Sequence, residues 1–215
     1  MITKAAWAGP MVMSKELAPY LDGIEDADSC SFSAHKWLYQ PKGSAFVLFR
    51  DEKEAHGGIS YGAPTGLPSI LVTPTIGILG SAPAVAIPLI CTLLSWGQSG
   101  ISERVESDVS KARTLARLVR EDERFDLWEG DGSEEMSSKI GSTGIINWRP
   151  KNVPIDPVSM NTVRSYLGQS WVSLAAIDGV TWFRSVAANP NADPQLVFDD
   201  VCQALMRFES ARDAD

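Results

Sequence analysis

The chain has 215 residues, 44% of them hydrophobic and 21% charged, which excludes the disordered and fibrous classes. It carries 19 Lys and Arg against 27 Asp and Glu, a formal net charge of −8. That balance argues against nucleic acid or an anionic membrane surface as an obligate partner. Three cysteines without a CxxC spacing, and only two histidines, point to neither a disulfide framework nor a zinc site. The composition is that of a cytoplasmic globular protein.

The first twenty residues lack an unbroken apolar core behind a basic start and do not read as a signal peptide. AAWAGP arrives at Ala5 with almost nothing before it, as though the chain opens inside a domain. Ser14 as N-cap and Glu16 in the first turn predict a short helix over Ser14–Leu21. Short strands are expected at Ser29–Phe32 and at Ala45–Phe49, the second uniformly apolar and closed by a charged turn. Residues 57–81 hold too many Gly and Pro for regular structure and read as a long loop of the functional kind.

The most apolar stretch, Ile70 to Trp96, contains Pro74, Pro83 and Pro88, which makes a membrane span of ~20 apolar residues improbable. Ala84–Gly97 is apolar nearly all round and predicts a buried helix that ends at Gly97 and Gly100. From Ile101 to Val119, residues Ile101, Val105, Val109, Ala112, Leu115, Ala116 and Val119 share one face of an amphipathic helix. Strands near Phe125–Glu129, Ile140–Arg149 and Gly179–Ala187, with helices over Pro157–Leu167 and Pro194–Phe208, complete an α+β pattern. A boundary near residue 104 divides the chain into 1–103 and 104–215.

Lys36 carries the most informative chemistry. A lysine at the end of a strand, beside a histidine and small residues, can form a Schiff base with an aldehyde if desolvation or a neighbouring cation favours its neutral amine. Taken alone, His35-Lys36-Trp37 reads as a surface turn with an aromatic anchor, since lysine is mostly exposed.

The context is richer than the dipeptide. GIEDADSCSFSAHKWLYQPKGSAFVLFRD resembles the lysine segment of the group II pyridoxal-phosphate-dependent amino-acid decarboxylases, which include the aromatic-amino-acid, glutamate and diaminobutyrate enzymes. That segment runs GI-x-x-ADS, a strand, HK with an apolar or aromatic residue, a turn, and an apolar strand ending in RD. Upstream, AAWAGP resembles the family's DAAWGG; downstream, WFRSVAANPNADP resembles its FFR-x-V-x-NP strand.

The resemblance implies an α/β chain: part of a fold-type I pyridoxal-phosphate large domain over 1–103, then a small α+β C-terminal domain over 104–215. It makes Lys36 the lysine of the internal aldimine with pyridoxal 5'-phosphate and His35 a contact near the phosphate. It gives Ser33 a place beside the phosphate and lays Ala6 against one face of the pyridine ring. Arg184 stands where glutamate-type members hold the substrate carboxylate, a task that suits a guanidinium. A solvated strand charge is its plainer reading. Tyr61 lies in the Gly/Pro-rich loop, where many members carry a mobile tyrosine.

Two departures stand out. Lys4 replaces the family's aspartate before AAW, whose carboxylate keeps the pyridine nitrogen protonated so that the ring can act as an electron sink. The resemblance also begins at that point, so the family's N-terminal half, with its phosphate loop and ring-stacking histidine, has no counterpart.

Three readings follow. The first is the C-terminal half of an amino-acid decarboxylase that releases the α-carboxylate as carbon dioxide. The second is a truncated, inactive paralogue serving as a binding or regulatory subunit. The third is a fold-type I enzyme of other chemistry. A half-domain should expose the Ala84–Gly97 helix and the AFVLF strand, and so form a homodimer or a complex with an N-terminal-half chain, burying well over ~2,000 Å².

Overall fold

Strand β1 (Ile2–Lys4) pairs in parallel with β2 (Ser29–Ser33), setting Ile2 beside Ser29 and Lys4 beside Ser31. β2 in turn pairs antiparallel with β3 (Ala45–Phe49), from Ser29 opposite Phe49 to Ser33 opposite Ala45. The computed structural model describes residues 2–51, 84, 86–130, 133, 140–168 and 172–213. These fall into two compact units, Met1–Ser102 and Glu103–Asp215.

β1 had no period-two signal because it is only three residues long. Between β1 and β2 the chain makes three 3-10 segments, Gly9–Met13, Ala18–Leu21 and Ile24–Asp26, in place of the helix expected over Ser14–Leu21. Ser14 does act as a local cap, its Oγ accepting from the Leu17 N–H at 3.2 Å. Pro19 has no N–H to continue the ladder, so the turn tightens instead of lengthening.

β2 alternates strictly. Ser29, Ser31 and Ser33 point to one side, shared through the register with Lys4, while Cys30 and Phe32 point to the other. Phe32 stacks on its cross-strand partner Phe46 with ring centroids 5.3 Å apart. Gly9 approaches Phe32 so closely that a Cβ there would lie 3.0 Å from the Phe32 Cβ. An apolar cavity of about 650 Å³, lined by Met13, Ile24, Phe46, Leu48, Leu89 and Leu93 among others, opens beside this side.

After the one-turn helix α1 (Ala34–Trp37), the long helix α2 (Ala86–Glu121) runs from the first unit into the second. It is interrupted at Gly97, whose φ of 60° and ψ of −172° are not helical, as the expected break there required. The first stretch is not buried all round: Leu89 is buried, but Ile87, Ile90 and Leu94 are 59%, 51% and 81% exposed. The expectation failed because apolarity marks a face that needs a neighbour, and no described element supplies one. In the second stretch Ile101, Val105, Val109, Ala112, Leu115, Ala116 and Val119 are all buried.

The second unit is a four-stranded antiparallel sheet in the order β4-β5-β7-β6. Its strands are β4 (Phe125–Leu127), β5 (Ile145–Pro150), β6 (Val172–Ile177) and β7 (Val180–Val186). Helices α3 (Pro157–Ser165) and α4 (Pro194–Arg212) each begin with an aspartate N-cap and a proline. Asp156 accepts from the N–H groups of Val158 and Ser159, and Asp193 from those of Gln195 and Leu196. The core gathers Phe125, Trp148, Phe183 and Phe198 with Met160, Val163 and Val201. Ring centroids among the four aromatics lie 5.2 to 6.1 Å apart. The buried Trp148 donates its indole N–H to Ser185 Oγ at 2.9 Å.

Candidate cofactor-attachment site

The parallel pair β1–β2 ends where the chemistry-bearing residues begin. The Ala5 N–H donates to Ser31 O at 2.9 Å, and the Ser33 N–H donates to Ala6 O at 3.1 Å. Ala6 and Ser33 therefore sit side by side at the C-terminal ends of two parallel strands, the end at which open α/β sheets bind ligands. Directly after Ser33 the chain turns into α1, which carries His35 and Lys36.

The turn is held from several directions. His35 Nδ1 lies 3.0 Å from Ser44 O. A carbonyl oxygen only accepts, so Nδ1 carries the hydrogen and a neutral ring presents Nε2 as an acceptor. Trp37, 1% exposed, stacks on Trp7 with centroids 5.4 Å apart. This stack ties the AAW segment to the HKW segment. Sequence reasoning missed it, although the tryptophans recurring after AA and HK were a visible signal.

Lys36 itself is half-buried and makes no hydrogen bond or ion pair among the described residues. The Ser33 hydroxyl is likewise without a described partner. An amine and a hydroxyl without partners among the described residues, an oriented imidazole and a small alanine side chain fit a group bearing an aldehyde, a phosphate and a flat ring. The 650 Å³ apolar cavity is a separate feature, lined by none of Ala6, Ser33, His35 or Lys36.

Lys4 is exposed, on the side of the sheet shared with Ser31 and Ser33. Arg184 belongs to the second unit, on β7 opposite Asn147 and Ser173, half-buried and without an ion pair among the described residues. Tyr61 and the loop 57–81 lie outside the described residues.

In the second unit Asp122, Asp156 and Cys202 have displaced protonation. The Arg124 guanidinium holds Asp122 below the usual carboxylate range, and hydrogen bonds from Ser159 do the same for Asp156. Burial pushes the Cys202 thiol up. Among the described residues no cluster of His, Cys, Asp or Glu could hold a metal ion, and no helix is long and apolar enough to cross a membrane.

Residues 3–140 match the model of the pyridoxal-dependent decarboxylase conserved domain. The chain belongs to this decarboxylase family. Pyridoxal 5'-phosphate is thereby its family cofactor.

Among relatives of the pyridoxal-dependent decarboxylases, tryptophan decarboxylase 1 of Oryza sativa is 28% identical over 131 residues, covering 57% of this chain and 25% of that protein. Aspartate 1-decarboxylase of Aliivibrio fischeri is 31% identical over 126 residues, 57% of this chain and 22% of that protein. Phenylacetaldehyde synthase of Petunia hybrida is 27% identical over 202 residues, 88% of this chain and 39% of its own.

Two solved structures show the fold. Oryza sativa TDC with PLP and tryptamine has a TM-score of 0.72 at 20% identity, covering 98% of this chain and 44% of that one. Lactobacillus brevis glutamate decarboxylase has a TM-score of 0.73 at 18% identity, covering 96% and 46%. The chain thus spans less than half the length of these decarboxylases and is an α/β portion of their fold-type I architecture.

Proposed function

We propose that this chain is the cofactor-attaching portion of an amino-acid decarboxylase, with Lys36 Nζ as the point of covalent attachment. The observation that carries the reading is the half-buried Lys36, without a partner among the described residues, on a turn at the C-terminal ends of two parallel strands. When bound, the cofactor supplies an electron sink for the charge left behind as carbon dioxide departs. His35, its Nδ1 held by Ser44 O, keeps Nε2 for contact with the group, and Ser33 offers a hydroxyl to its phosphate. Ala6 leaves room for a flat ring where a larger side chain would intrude. Arg184 grips a substrate carboxylate in a two-pronged hydrogen bond.

Activity requires polypeptide corresponding to the remainder of the family fold, in a homodimer or a complex with a second chain. Support comes from β3, an edge strand among the described residues, where Val47, Leu48 and Phe49 are 54%, 59% and 42% exposed.

A second reading, an inactive relative acting as a binding or regulatory subunit, is favoured by Lys4. An ammonium on the side of the sheet that carries Ser31 and Ser33 opposes a protonated ring nitrogen.

The test is to incubate the chain with pyridoxal phosphate, reduce with borohydride and map the adduct by mass spectrometry. Attachment at Lys36 that is lost in Lys36→Ala and kept in Lys42→Ala supports the proposal. Labelling spread evenly over surface lysines refutes it. Carbon dioxide release from an amino acid by the assembled protein separates the enzyme from the inactive relative.

A further inference from the structure

The turn that carries Lys36 is too short to hold itself. α1 is a single turn of four residues, and a lone helical turn fixes more backbone freedom than its hydrogen bonds return. Two backbone bonds close it on its C-terminal side, from the N–H groups of Leu38 and Gln40 to Ala34 O, each at 3.2 Å. Between them Tyr39 adopts a φ of +54°, a left-handed conformation that is unfavourable for a residue with a Cβ. Such a residue persists only where its surroundings over-determine it.

The surroundings are the first stretch of α2. The Gln40 side chain is 9% exposed, and its amide nitrogen donates twice: to Leu38 O at 2.7 Å and to Thr92 Oγ1 at 2.8 Å. The neighbouring Tyr39 ring meets Trp96 edge-on with centroids 6.3 Å apart. Thr92 and Trp96 are four residues apart and so lie on one side of α2. Two consecutive residues of the turn thus dock onto two residues in register on the helix. One amide group joins the carbonyl of Leu38, the residue that follows α1, to that helix.

We infer that Gln40 is a positioning residue for Lys36, acting through its hydrogen bond to Thr92. The inference rests on the reading of Lys36 as the attachment point. Without the Gln40 amide, Leu38 O and the Thr92 hydroxyl lose their donor, the strained Tyr39 loses its support, and the lysine leaves its fixed position.

The experiment uses the full chain in wild-type, Gln40→Leu, Thr92→Val and Thr92→Ser forms, with circular dichroism as the control for folding. Thr92→Val removes only the acceptor on the helix and keeps the measurement available if Gln40→Leu does not fold. The first readout is the ratio of reduced pyridoxal phosphate adduct at Lys36 to that at the exposed Lys42 in the same digest. The second, independent of cofactor, is amide hydrogen exchange in the peptide spanning 34–40.

Thr92→Val should lower the Lys36 to Lys42 ratio and speed exchange about fivefold, as loss of one hydrogen bond permits, and Gln40→Leu, which removes two, by at least as much. Thr92→Ser should match the wild type. A wild-type ratio in both disrupted variants, or faster exchange without loss of labelling at Lys36, overturns the inference. Absence of selective Lys36 labelling in the wild type instead overturns the attachment reading, and unchanged exchange in Thr92→Val then shows that the clamp does not hold the turn.

Discussion

The indole of Trp7 lies on the indole of Trp37, with ring centroids 5.4 Å apart and planes inclined by 29°. The stack joins two segments separated by thirty positions of chain and ties the last residue of the Lys36 turn to the AAW segment. Trp37 is almost wholly buried, so it acts as the anchor of that turn rather than as a surface residue.

Trp37→Ala should therefore cost the first unit about 3–5 kcal/mol, the usual loss for removing a buried tryptophan. Urea denaturation followed by circular dichroism measures this. Adduct formation at Lys36 should fall with it, whereas Trp7→Phe should keep both the fold and the labelling.

In the second unit, neighbouring positions on β7 should behave in opposite ways. Phe183 is fully buried against Trp148, so Phe183→Ala should lose about 3–5 kcal/mol. Arg184→Ala removes a side chain with no described ion pair and should cost less than about 1 kcal/mol. If Arg184 grips substrate, that variant should weaken substrate binding while its melting curve stays near the wild type.

Both aspartate caps are testable. Asp193→Ala leaves the Gln195 and Leu196 N–H groups at the start of α4 without their acceptor and should cost about 1 kcal/mol. Asp193→Ser should recover most of it, read as a shift in urea midpoint at unchanged slope.

The Asp122–Arg124 pair gives a pH signature. Arg124 donates to both carboxylate oxygens of Asp122, at 3.0 and 2.7 Å, and lowers its pKa in the folded state. A lowered carboxylate contributes stability that is complete above the unfolded pKa and disappears as pH falls through the folded one. Asp122→Asn should thus be less stable at neutral pH, yet lose less than the wild type between about pH 5 and about pH 2. Equal acid slopes for the two proteins would show that the pair does not couple to folding.

Much of the fold was legible because its signals are local. AFVLF defined β3 to the residue, and the Ile101–Val119 stripe appeared as the buried side of α2. Proline following aspartate marked the starts of α3 and α4. β6 was overlooked although Asp178-Gly179, both at positive φ, is a two-residue hairpin turn that implies a strand on each side. Lys36, His35, Ser33 and Ala6 could be named from motif order, but their neighbourhood could not. The Gln40–Thr92 bond joins residues 52 positions apart, and nothing in either segment's periodicity announces the other. The exposure of Ile87, Ile90 and Leu94 agrees with the half-domain expectation and not with the all-round burial read from apolarity, since an apolar run says that a partner is needed without saying where it is.

The alternation along β2 separates two kinds of constraint within five residues. Phe32 answers to Phe46 and Gly9, so replacing it disturbs the sheet itself. Ser31 and Ser33, on the other side, make no described ring contact of that kind, and under the proposed function Ser33 answers to the cofactor instead. A one-residue slip would exchange the two sets. Substitutions among the serines, by contrast, could erase the chemistry while the strand still pairs. If the proposed function holds, point changes on that side alone would turn an enzyme into a scaffold, so a folded chain is no measure of a working one.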